Sequence, residues 1–578
     1  MSGPMQDSKE GVTGLSEVIS VEESGASLAS PAALAMDSAL RVRCALVIVA
    51  AWAVLVATSL VTAPHDQMLR GAAYGLLLAA TGLAVLWSRG TKRPFAILVT
   101  FLAALSLLRI ASILSGTLDL SGDEAHYWEW SRRPDISYYS KPPGVAYLIM
   151  AGTALFGNTP LGVRGMSVMM CFLAGLAMYA LASRMYGAGV GALAAGVMQV
   201  IPLFGAWCMG MTPDTPLLLF WTVSLLALHR AWESPKASTW IMLGLALGFG
   251  LLGKLAVLFF YIPAALFLLS NETGRARLRT PWPYVALGLS LIFLLPVLVW
   301  NIQHGWVTLR HDLVHAKVNE GWVLSPTSLG DFIGSQLGVI TPVILVMMVH
   351  AVVKRRRIDQ MCFWLTVPIL AGFVLKSMQG KVQANWALSG YVAGVIPFAV
   401  MYLDRFATLG KHMRRLLAVG VGIAVVVTAV GLYPSILGRL GMPQKLDPTT
   451  RLNGWKELGR EATALGASIG GRHFVFSDNY MVSSELAFYM EGQPITYCVN
   501  LGRRMNQYDV WPGFEGLTGQ GALYVSTKAM PRSLADAFEA TEPHQIIIKD
   551  AKGREMKRYE ACVCRGFRGM ESRQPLTY

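Results

Sequence analysis

Two adjacent carboxylates and a nearby lysine are the residues of this chain best suited to chemistry. They lie in the segment SGDEAHYWEWSRRPDISYYSKPPGVAYLIM, residues 121–150, just after an apolar run of membrane-spanning length. Asp123 and Glu124 carry like charges and repel each other. Such a pair at a membrane surface indicates either an interacting partner group or a functional role. The aromatic residues around them suit the interfacial zone of a bilayer, which leaves open a solvated acidic loop beside an aromatic belt. With Lys141 close by, we favour a functional role for the carboxylates.

Three further polar residues contrast with their surroundings. Asp214 lies between two prolines at the end of an apolar run, where it could serve function or merely cap a helix. Lys254 interrupts an apolar hairpin (LLGKLAVL), which is costly unless the ammonium faces a polar cavity or extends to the membrane surface. His126 has the side chain of a metal ligand but no obvious companions, so a hydrogen-bonding role is favoured for it.

Basic and imidazole side chains form two more groups. Arg310, His311 and His315 lie together and could bind phosphate or an acidic sugar, although a solvated loop explains them equally well. Lys376 and Lys381 flank a loop predicted to face outward, against the usual charge bias of membrane proteins. Their placement favours an anionic ligand.

The elements that must position these residues are membrane helices. Of the 578 residues, 54% are hydrophobic and 15% are charged, whereas soluble proteins carry about 25% charged residues. This composition excludes a disordered protein, a coiled coil and an ordinary cytosolic enzyme. Apolar runs long enough to cross hydrocarbon predict thirteen spans, at residues 44–63, 71–87, 95–115, 161–185, 188–206, 217–232, 238–253, 255–270, 282–300, 330–351, 361–377, 386–403 and 416–434.

Basic clusters between the runs predict the orientation of the spans. Residues 1–40 carry one lysine and six acids, lack a signal-peptide pattern and are predicted to be a disordered cytoplasmic tail. With that end inside, nearly every dense basic cluster falls on the cytoplasmic side, as the positive-inside rule requires. The same rule accounts for the net charge of +14 without any nucleic acid. The predicted outside segments are residues 116–160, 207–216, 301–329, 378–385 and everything after 434.

The chain changes character after residue 436. Apolar runs such as HFVF, ALYV and QIIIK alternate with helical patterns, which predicts a soluble α/β domain outside the membrane. The predicted organisation is therefore a tail at 1–40, a membrane domain at 41–436 and an α/β domain at 437–578. Seven cysteines show no metal-binding spacing, and in an oxidising compartment Cys498 could pair with Cys562 or Cys564.

Four segments resemble membrane glycosyltransferases of the GT-C fold. They are DEAHYWEWS…YYSKPP in the first outside loop, TPDTP at 212–216, NIQHGW at 301–306 with the Arg-His pair that follows, and GKVQANW at 380–386. The group that they resemble includes the bacterial lipid A aminoarabinose transferases, lipopolysaccharide galacturonosyltransferases and relatives of protein O-mannosyltransferases. FSDNYMVSSELAFYMEG at 476–492 resembles the soluble domain of that group. The resemblance implies a polytopic α-helical membrane protein of the GT-C fold, with about 13 transmembrane helices counted from the apolar runs.

The resemblance also implies a reaction. A polyprenyl-phosphate sugar donor would give its sugar, with inversion, to a lipid or glycan acceptor at the outer face of a bacterial inner membrane. Asp123 would be the general base, and Glu124 would orient it or tune its pKa. Lys141 would hold the donor phosphate, because the leaving phosphate gains negative charge. The remaining residues that we assign to substrate binding are Asp214, His126, Tyr139, Lys254, Arg310, His311, Lys376, Lys381 and Asn385.

The sequence leaves alternatives open for the cofactor and for the class of function. In the aminoarabinose transferases a glutamate before the lysine helps to bind a metal, but here that position is Ser140. We therefore assign no metal ligand, and the resemblance leaves a divalent ion open. A protein O-glycosyltransferase would share the fold, whereas an ion-coupled transporter would place charges mid-helix and often repeat its two halves. The acids of this chain cluster in long outside loops, which favours an enzyme over a transporter or a scaffold.

Overall fold

The computed structural model describes residues 94–315, 324–432, 448–550 and 553–570. The predicted tail, the predicted spans at 44–63 and 71–87, the domain boundary at 436 and the side chain of His315 lie outside the described residues. All described residues belong to one compact unit, Leu55–Tyr578.

Most of the described chain is α-helical, because a helix satisfies its own backbone hydrogen bonds as a hydrocarbon environment demands. The helices that precede the first strand are α1 (Pro94–Leu114), α2 (Gly122–Ser131), α3 (Gly144–Phe156), α4 (Pro160–Tyr186), α5 (Ala188–Val200), α6 (Pro202–Trp207), α7 (Asp214–Glu233), α8 (Ala237–Gly253), α9 (Tyr261–Leu269), α10 (Glu272–Leu278), α11 (Trp282–Ile292), α12 (Leu295–Gln303), α13 (Val307–His315), α14 (Pro326–Ile340), α15 (Pro342–Lys354), α16 (Gln360–Trp364), α17 (Val367–Gln379), α18 (Leu388–Phe398), α19 (Lys411–Leu432) and α20 (Trp455–Ile469). Between them lie the 3-10 helices Leu255–Phe260, Ala384–Ala387, Phe406–Thr408 and Pro448–Leu452 and the π-helical turn Ala399–Leu403.

Eleven of the thirteen predicted spans fall within the described residues, the last of them as far as residue 432, and each contains helix. Six helical segments in that part of the chain are long and apolar enough to cross a membrane, or eight when two bent pairs of helices each count as one span. Large apolar side chains on these segments point away from the protein, among them Ile262 (71% exposed), Val346 (65%) and Val426 (60%). Outward apolar surface on long helices fits a lipid environment. The chain is therefore a helical membrane protein, and the number thirteen stays a prediction.

Departures from the predicted spans include a bent segment and a short helix. The run at 330–351 is not one straight helix, because α14 and α15 meet at 97°, where Thr341 has a φ of 72° and Pro342 begins the next helix. The second departure is α3, an apolar helix of 13 residues inside the segment predicted as an outside loop at 116–160. At about 1.5 Å per residue this helix is too short to span the hydrocarbon core of a bilayer. A search for apolar runs of membrane-spanning length therefore does not find it.

Residues 448–570, the C-terminal region, contain a five-stranded mixed sheet. Its elements after α20 are β1 (His473–Ser477), α21 (Tyr480–Tyr489), β2 (Thr496–Cys498), a 3-10 helix (Gln507–Asp509), β3 (Gly521–Ser526), α22 (Arg532–Ala535), β4 (Phe538–Lys549) and β5 (Glu555–Phe567). The order across the sheet is β2-β1-β3-β5-β4, with β1 parallel to β2 and β3, and β5 antiparallel to β3 and β4. The strands and helices predicted from the HFVF, ALYV and QIIIK runs and the helical patterns between them are confirmed.

Apolar side chains cover both faces of this sheet. On one face, α20 and α21 pack against strand residues such as Val475, Leu523 and Val563. The other face carries a cluster rich in phenylalanine, which includes Phe474 and Phe476. Because successive residues of a strand point to opposite faces, β1 supplies side chains to both cores.

Helix α21 packs directly on α2, the helix that carries the adjacent carboxylates. The rings of Trp128 and Phe488 meet edge to face with their centroids 4.9 Å apart. A Cβ at Gly122 would lie 2.7 Å from the Cβ of Met481, so the missing side chain of glycine allows the two helices to approach this closely. The C-terminal region is thereby joined to the first predicted outside loop.

The three cysteines of the C-terminal region are free thiols, so the disulfide considered from the sequence is not formed. Cys498 lies on β2, whereas Cys562 and Cys564 lie on β5. These strands are three positions apart in the sheet, or about 14 Å at the usual strand spacing. A disulfide needs Cα atoms within about 7 Å, and the order of strands in a sheet cannot be read from cysteine spacing.

Glu485 on α21 is a buried carboxyl group without a hydrogen-bond partner among the described residues. Burial raises the pKa of Glu485 well above its usual value, and the carboxylates of Asp119 and Glu124 add to the increase. The positive charges of Arg164 and Lys557 oppose this increase without reversing it. The carboxyl group is therefore neutral in the folded protein over a wider pH range than an exposed glutamate.

We expect Glu485→Gln to stabilise the protein at alkaline pH. Because the pKa of the folded state is the higher one, the contribution of the native carboxyl to stability is complete below its ordinary value of 4.5 and is lost as the pH rises. Glutamine does not ionise, so the melting temperature should exceed that of wild type by about 2–4 °C at pH 8 and by less at pH 5. Thermal unfolding at both pH values measures this, with the exposed Glu491→Gln as matched control. An equal difference at the two pH values would contradict the explanation.

Candidate functional site

The first turn of α2 directs Asp123 and Glu124 to different sides. The Ser121 hydroxyl accepts a hydrogen bond from the Glu124 amide at 3.3 Å, and the Glu124 carboxylate accepts one from the Ser121 amide at 3.0 Å. This reciprocal capping satisfies two amides that the start of a helix leaves unpaired. Successive helix positions are about 100° apart, so Glu124 is buried while Asp123 is exposed.

Glu124 is held by a buried arginine. Its Oε1 accepts from Arg164 Nε at 2.8 Å and from the Met211 amide at 3.1 Å, and its Oε2 accepts from Arg164 Nη2 at 2.7 Å. Burial alone would raise the pKa of Glu124, but the charge and hydrogen bonds of Arg164 outweigh it and hold the pKa below its usual value. Glu124 is therefore a stable carboxylate that fixes α2, and its negative charge raises the pKa of Asp123.

Asp123 is the accessible carboxylate of the pair. Its Oδ1 accepts from the Tyr480 hydroxyl at 3.0 Å, and no hydrogen bond between described residues ends on Oδ2. The surrounding protein displaces water from the carboxyl and raises the pKa of Asp123 above its usual value. The Tyr480 hydrogen bond and the positive charges of Lys141 and Arg504 oppose this increase. A carboxylate whose pKa is shifted toward neutral pH is a better general base than an ordinary one.

Lys141 lies in the loop between α2 and α3, and its ammonium makes no hydrogen bond or ion pair with the described residues. Burial lowers the pKa of Lys141 below its usual value, and the positive charge of Lys254 acts in the same direction. The carboxylates that oppose this decrease are Asp312, Asp214 and Asp123. These charged groups therefore lie within electrostatic range of the Lys141 ammonium, which is placed to bind an anion.

Asp214, Lys254 and Asn385 meet in one hydrogen-bonded group. Asp214 Oδ1 accepts from Lys254 Nζ at 2.6 Å, and Oδ2 accepts from Asn385 Nδ2 at 2.9 Å. Asp214 is the first residue of α7, and Lys254 lies in extended conformation where α8 ends and a 3-10 helix begins. Lys254 therefore pairs with a buried acid and does not extend alone to the membrane surface.

Tyr139 and His311 connect the same loop to α13. His311 Nδ1 lies 3.2 Å from the Tyr139 hydroxyl, and the two ring centroids are 5.0 Å apart. The amide of Tyr139 donates to Gln507 Oε1 at 2.6 Å, which adds a contact with the C-terminal region. Both side chains are buried, so they hold the loop around Lys141 in place.

His126 is a packing residue in this structure. Its Nδ1 lies 3.0 Å from the hydroxyl of Ser484, and its ring lies 4.9 Å from that of Tyr480 and 5.4 Å from that of Tyr508. Burial lowers the pKa of His126 to about 3, so the imidazole is neutral at physiological pH. It supports α21 against α2, and the role in substrate binding assigned to it from the sequence stays a prediction.

The remaining predicted residues are less closely integrated into the cluster. Arg310 is exposed on α13 beside His311. Lys376 donates to Gln379 Oε1 at 2.7 Å near the end of α17, and Lys381 is exposed in the segment that follows. The cluster around Asp123 thus includes Lys141, Asp214, Lys254, Asn385 and, through Tyr139, His311.

Three residues of the cluster were not recognised from the sequence. Arg164 lies at the predicted outer end of its span, against the positive-inside bias, which is the signal that drew attention to Lys376 and Lys381. Asp312 lies directly beside a residue that was recognised, His311. Tyr480 has no local signal, because it reaches Asp123 through packing between distant segments.

A divalent ion in this cluster would need several oxygen or imidazole ligands. Glu124 is engaged by Arg164, and Ser140 stands where the resemblance expects a glutamate. Among the described residues, no group of three or more His, Cys, Asp or Glu side chains is arranged to hold a metal ion. The described residues around Asp123 therefore supply no preformed set of three metal ligands.

One family model and several curated proteins match the sequence. The family model, described as dolichyl-phosphate-mannose-protein mannosyltransferase, matches residues 140–300. The chain is 30% identical over 390 residues to the lipid A galacturonosyltransferase RgtD of Rhizobium johnstonii, a match that covers 66% of this chain and 80% of that protein. It is also 30% identical over 214 residues to the undecaprenyl phosphate-alpha-4-amino-4-deoxy-L-arabinose arabinosyl transferase of Pseudomonas aeruginosa, with 36% of each protein covered.

Solved structures share the fold. The crystal structure of ArnT from Cupriavidus metallidurans in the apo state matches with a TM-score of 0.58 at 17% identity, over 84% of this chain and 98% of that chain. Its complex with undecaprenyl phosphate matches with a TM-score of 0.56 at 16% identity, over 80% and 97%. At these identities the likeness concerns the fold alone.

Proposed function

Because the chain belongs to the family of GT-C membrane glycosyltransferases that includes RgtD and ArnT, we propose that it transfers a sugar from a polyprenyl-phosphate donor to lipid A or a related envelope glycan. Family membership confirms the enzyme prediction over the ion-coupled transporter. The observation that carries the proposed reaction is an exposed carboxylate, Asp123, within electrostatic range of Lys141, a cation without a direct partner among the described residues.

Asp123 and Lys141 suit the two charges that sugar transfer creates. As the acceptor hydroxyl attacks the anomeric carbon, its proton passes to Asp123 Oδ2. The bond between that carbon and the phosphate oxygen breaks, and its electron pair stays with the phosphate. The phosphate changes from a diester to a monoester and gains negative charge, which Lys141 stabilises. Attack opposite to the leaving phosphate inverts the anomeric centre.

The group formed by Asp214, Lys254 and Asn385 supports this charge distribution. Lys254 is fixed by its 2.6 Å contact with Asp214, and its charge acts on Lys141. A fixed second cation increases the local positive potential where the donor phosphate would lie. The partly balancing carboxylates keep this cluster stable before the donor binds.

The placement of the site supports the predicted orientation in the membrane. Every predicted outside segment contributes to the cluster or its neighbours: Asp123 and Lys141 from 116–160, Asp214 from 207–216, Asp312 from 301–329, Asn385 from 378–385 and Tyr480 from the C-terminal region. We therefore place the N-terminus in the cytoplasm, and the site and the C-terminal region at the outer face of a bacterial inner membrane.

A protein O-glycosyltransferase is the second candidate. The matching family model is described as a protein mannosyltransferase, and it covers residues 140–300. The base and the phosphate-binding cation would act in the same way on a serine or threonine hydroxyl. The two candidates therefore differ in the acceptor and not in the chemistry.

Product analysis tests the proposal. Purified protein in liposomes is supplied with polyprenyl-phosphate galacturonic acid or polyprenyl-phosphate aminoarabinose, and with lipid A or a serine- and threonine-rich peptide. Mass spectrometry should show lipid A with one added sugar for one of these donors. A glycosylated peptide with unmodified lipid A would favour the second candidate. Folded protein that modifies neither acceptor with either donor would contradict the proposal.

Replacement of Lys141 by alanine should chiefly weaken donor binding. Loss of the cation removes the charge that holds the phosphate, so we expect the apparent KM for the donor to rise by about 10-fold, equivalent to the 1.4 kcal/mol of one charge-assisted contact. The exposed Lys528→Ala, in the C-terminal region, is the matched control and should leave the KM unchanged. An unchanged KM in Lys141→Ala would contradict the phosphate-binding role.

A further inference from the structure

We propose that Tyr480 is a positioning residue for Asp123, so that the C-terminal region completes the catalytic site. This inference rests on the proposed function. The contact that carries it is the hydrogen bond from the Tyr480 hydroxyl to Asp123 Oδ1, 3.0 Å long. It joins the proposed base to a residue of a different part of the fold.

Tyr480 is held at this point by the first turn of α21. Asn479 caps the helix, and its side chain accepts from the Met481 amide at 2.9 Å. The ring of Tyr480 lies 4.9 Å from the ring of His126, which belongs to α2 like Asp123. The close approach of Met481 to Gly122 sets the distance between the two helix starts. The helix start and the ring contact therefore fix the Tyr480 hydroxyl within hydrogen-bonding distance of Asp123.

The hydrogen bond has two chemical consequences. It occupies Oδ1, so that Oδ2 is left to accept the proton of the acceptor hydroxyl and the carboxyl plane is fixed. It also stabilises the charged form of Asp123 against the displacement of water by the surrounding protein, because a hydrogen bond donated to a carboxylate favours ionisation. Tyr480 thereby favours the deprotonated form of Asp123, while the displacement of water by the surrounding protein raises its pKa.

Several charged or titratable groups face Asp123 besides Tyr480. Glu124 lies beside it on α2, Lys141 comes from the following loop, and Arg504 comes from the loop after β2. The effects of Glu124, Lys141 and Arg504 remain when the Tyr480 hydroxyl is removed. A change in the pH dependence of Tyr480→Phe therefore reports the hydrogen bond itself.

The test is Tyr480→Phe, assayed across pH with any donor and acceptor pair that the wild-type protein uses. The ring and its packing on His126 are kept, and the hydroxyl is lost. We expect the acidic limb of the pH–rate profile to move to higher pH by about 1 unit, and kcat at pH 7 to fall by about 10-fold. The KM for the donor should not change, since Lys141 is untouched.

Tyr497→Phe is the matched control, because it removes a tyrosine hydroxyl from the same region within the phenylalanine-rich core and away from Asp123. It should leave the pH profile and kcat at wild-type values. A second variant, Gly122→Ala, separates the helix starts and should shift the acidic limb in the same direction as Tyr480→Phe.

Three outcomes are separable. A folded Tyr480→Phe with the wild-type pH profile and kcat would overturn the inference while leaving the proposed function intact. A fall in kcat without a shift of the acidic limb would also overturn it, because that result indicates a merely structural role. Absence of transfer by the wild-type protein with every pair would instead contradict the proposed function.

Discussion

Replacing Asp123 with asparagine is expected to lower the rate of sugar transfer by about 10²–10⁴-fold. The substitution keeps the shape of the side chain and can still accept the hydrogen bond from Tyr480, which ends on Oδ1. It removes the only group in our proposed mechanism that takes the acceptor proton. Because Lys141 is unchanged, the affinity for the donor should remain close to wild type. Single-turnover transfer in liposomes, together with donor binding, measures both quantities.

The matched control for this variant is Asp536→Asn, which neutralises an exposed carboxylate in the C-terminal region. It should leave transfer unchanged. Turnover of Asp123→Asn within a few-fold of wild type would remove Asp123 as the general base. A parallel loss of donor binding and turnover would indicate that the carboxylate positions the donor instead.

Replacing Arg164 with methionine should destabilise the protein by about 3–5 kcal/mol, the cost of leaving a buried charge without its partner. Arg164 and Glu124 are 5% and 4% exposed and are joined by two hydrogen bonds of 2.8 and 2.7 Å. Without the arginine, burial would force Glu124 to take up a proton, and α2 would lose its main anchor. A lowered melting temperature, larger than that of any surface variant, is the expected readout in detergent or nanodiscs.

Arg184→Met is the matched control for the buried pair. Arg184 contacts Glu233, but these side chains are 45% and 31% exposed, and exposed ion pairs contribute only about 0–1 kcal/mol. The double variant Arg164→Met with Glu124→Gln should recover part of the lost stability, because it also removes the unpaired charge. Equal effects of the buried and the exposed arginine would contradict an anchoring role.

The sequence predicts best those features that depend on neighbouring residues. Apolar runs produce helices, and the alternation after residue 436 produces the strands β1, β3 and β4. The carboxylate pair, Lys141 and Asp214 are identified from the sequence because ionisable residues at the ends of apolar runs are costly and therefore indicate a functional site. The positive-inside rule predicts a common outside placement for them, and the structure brings them into one cluster.

Features that depend on packing between distant segments cannot be predicted from the local sequence. The division of roles between Asp123 and Glu124 depends on Arg164, 40 residues further along the chain. The bend between α14 and α15 depends on the conformation of Thr341, and the helix α3 is too short to register as a span. The separation of the cysteines depends on strand order. In each case the deciding contact or distance is tertiary.

Two side-chain contacts of α2 can form only late in the synthesis of the chain. The Tyr480 hydroxyl reaches Asp123 across a sequence separation of 357 residues, and Ser484 reaches His126 across 358. A ribosome that has completed the first loop must therefore translate most of the membrane helices before these partners exist. A chain that ends before Tyr480 contains Asp123 and Lys141 without the hydrogen bond that Asp123 accepts in the complete fold.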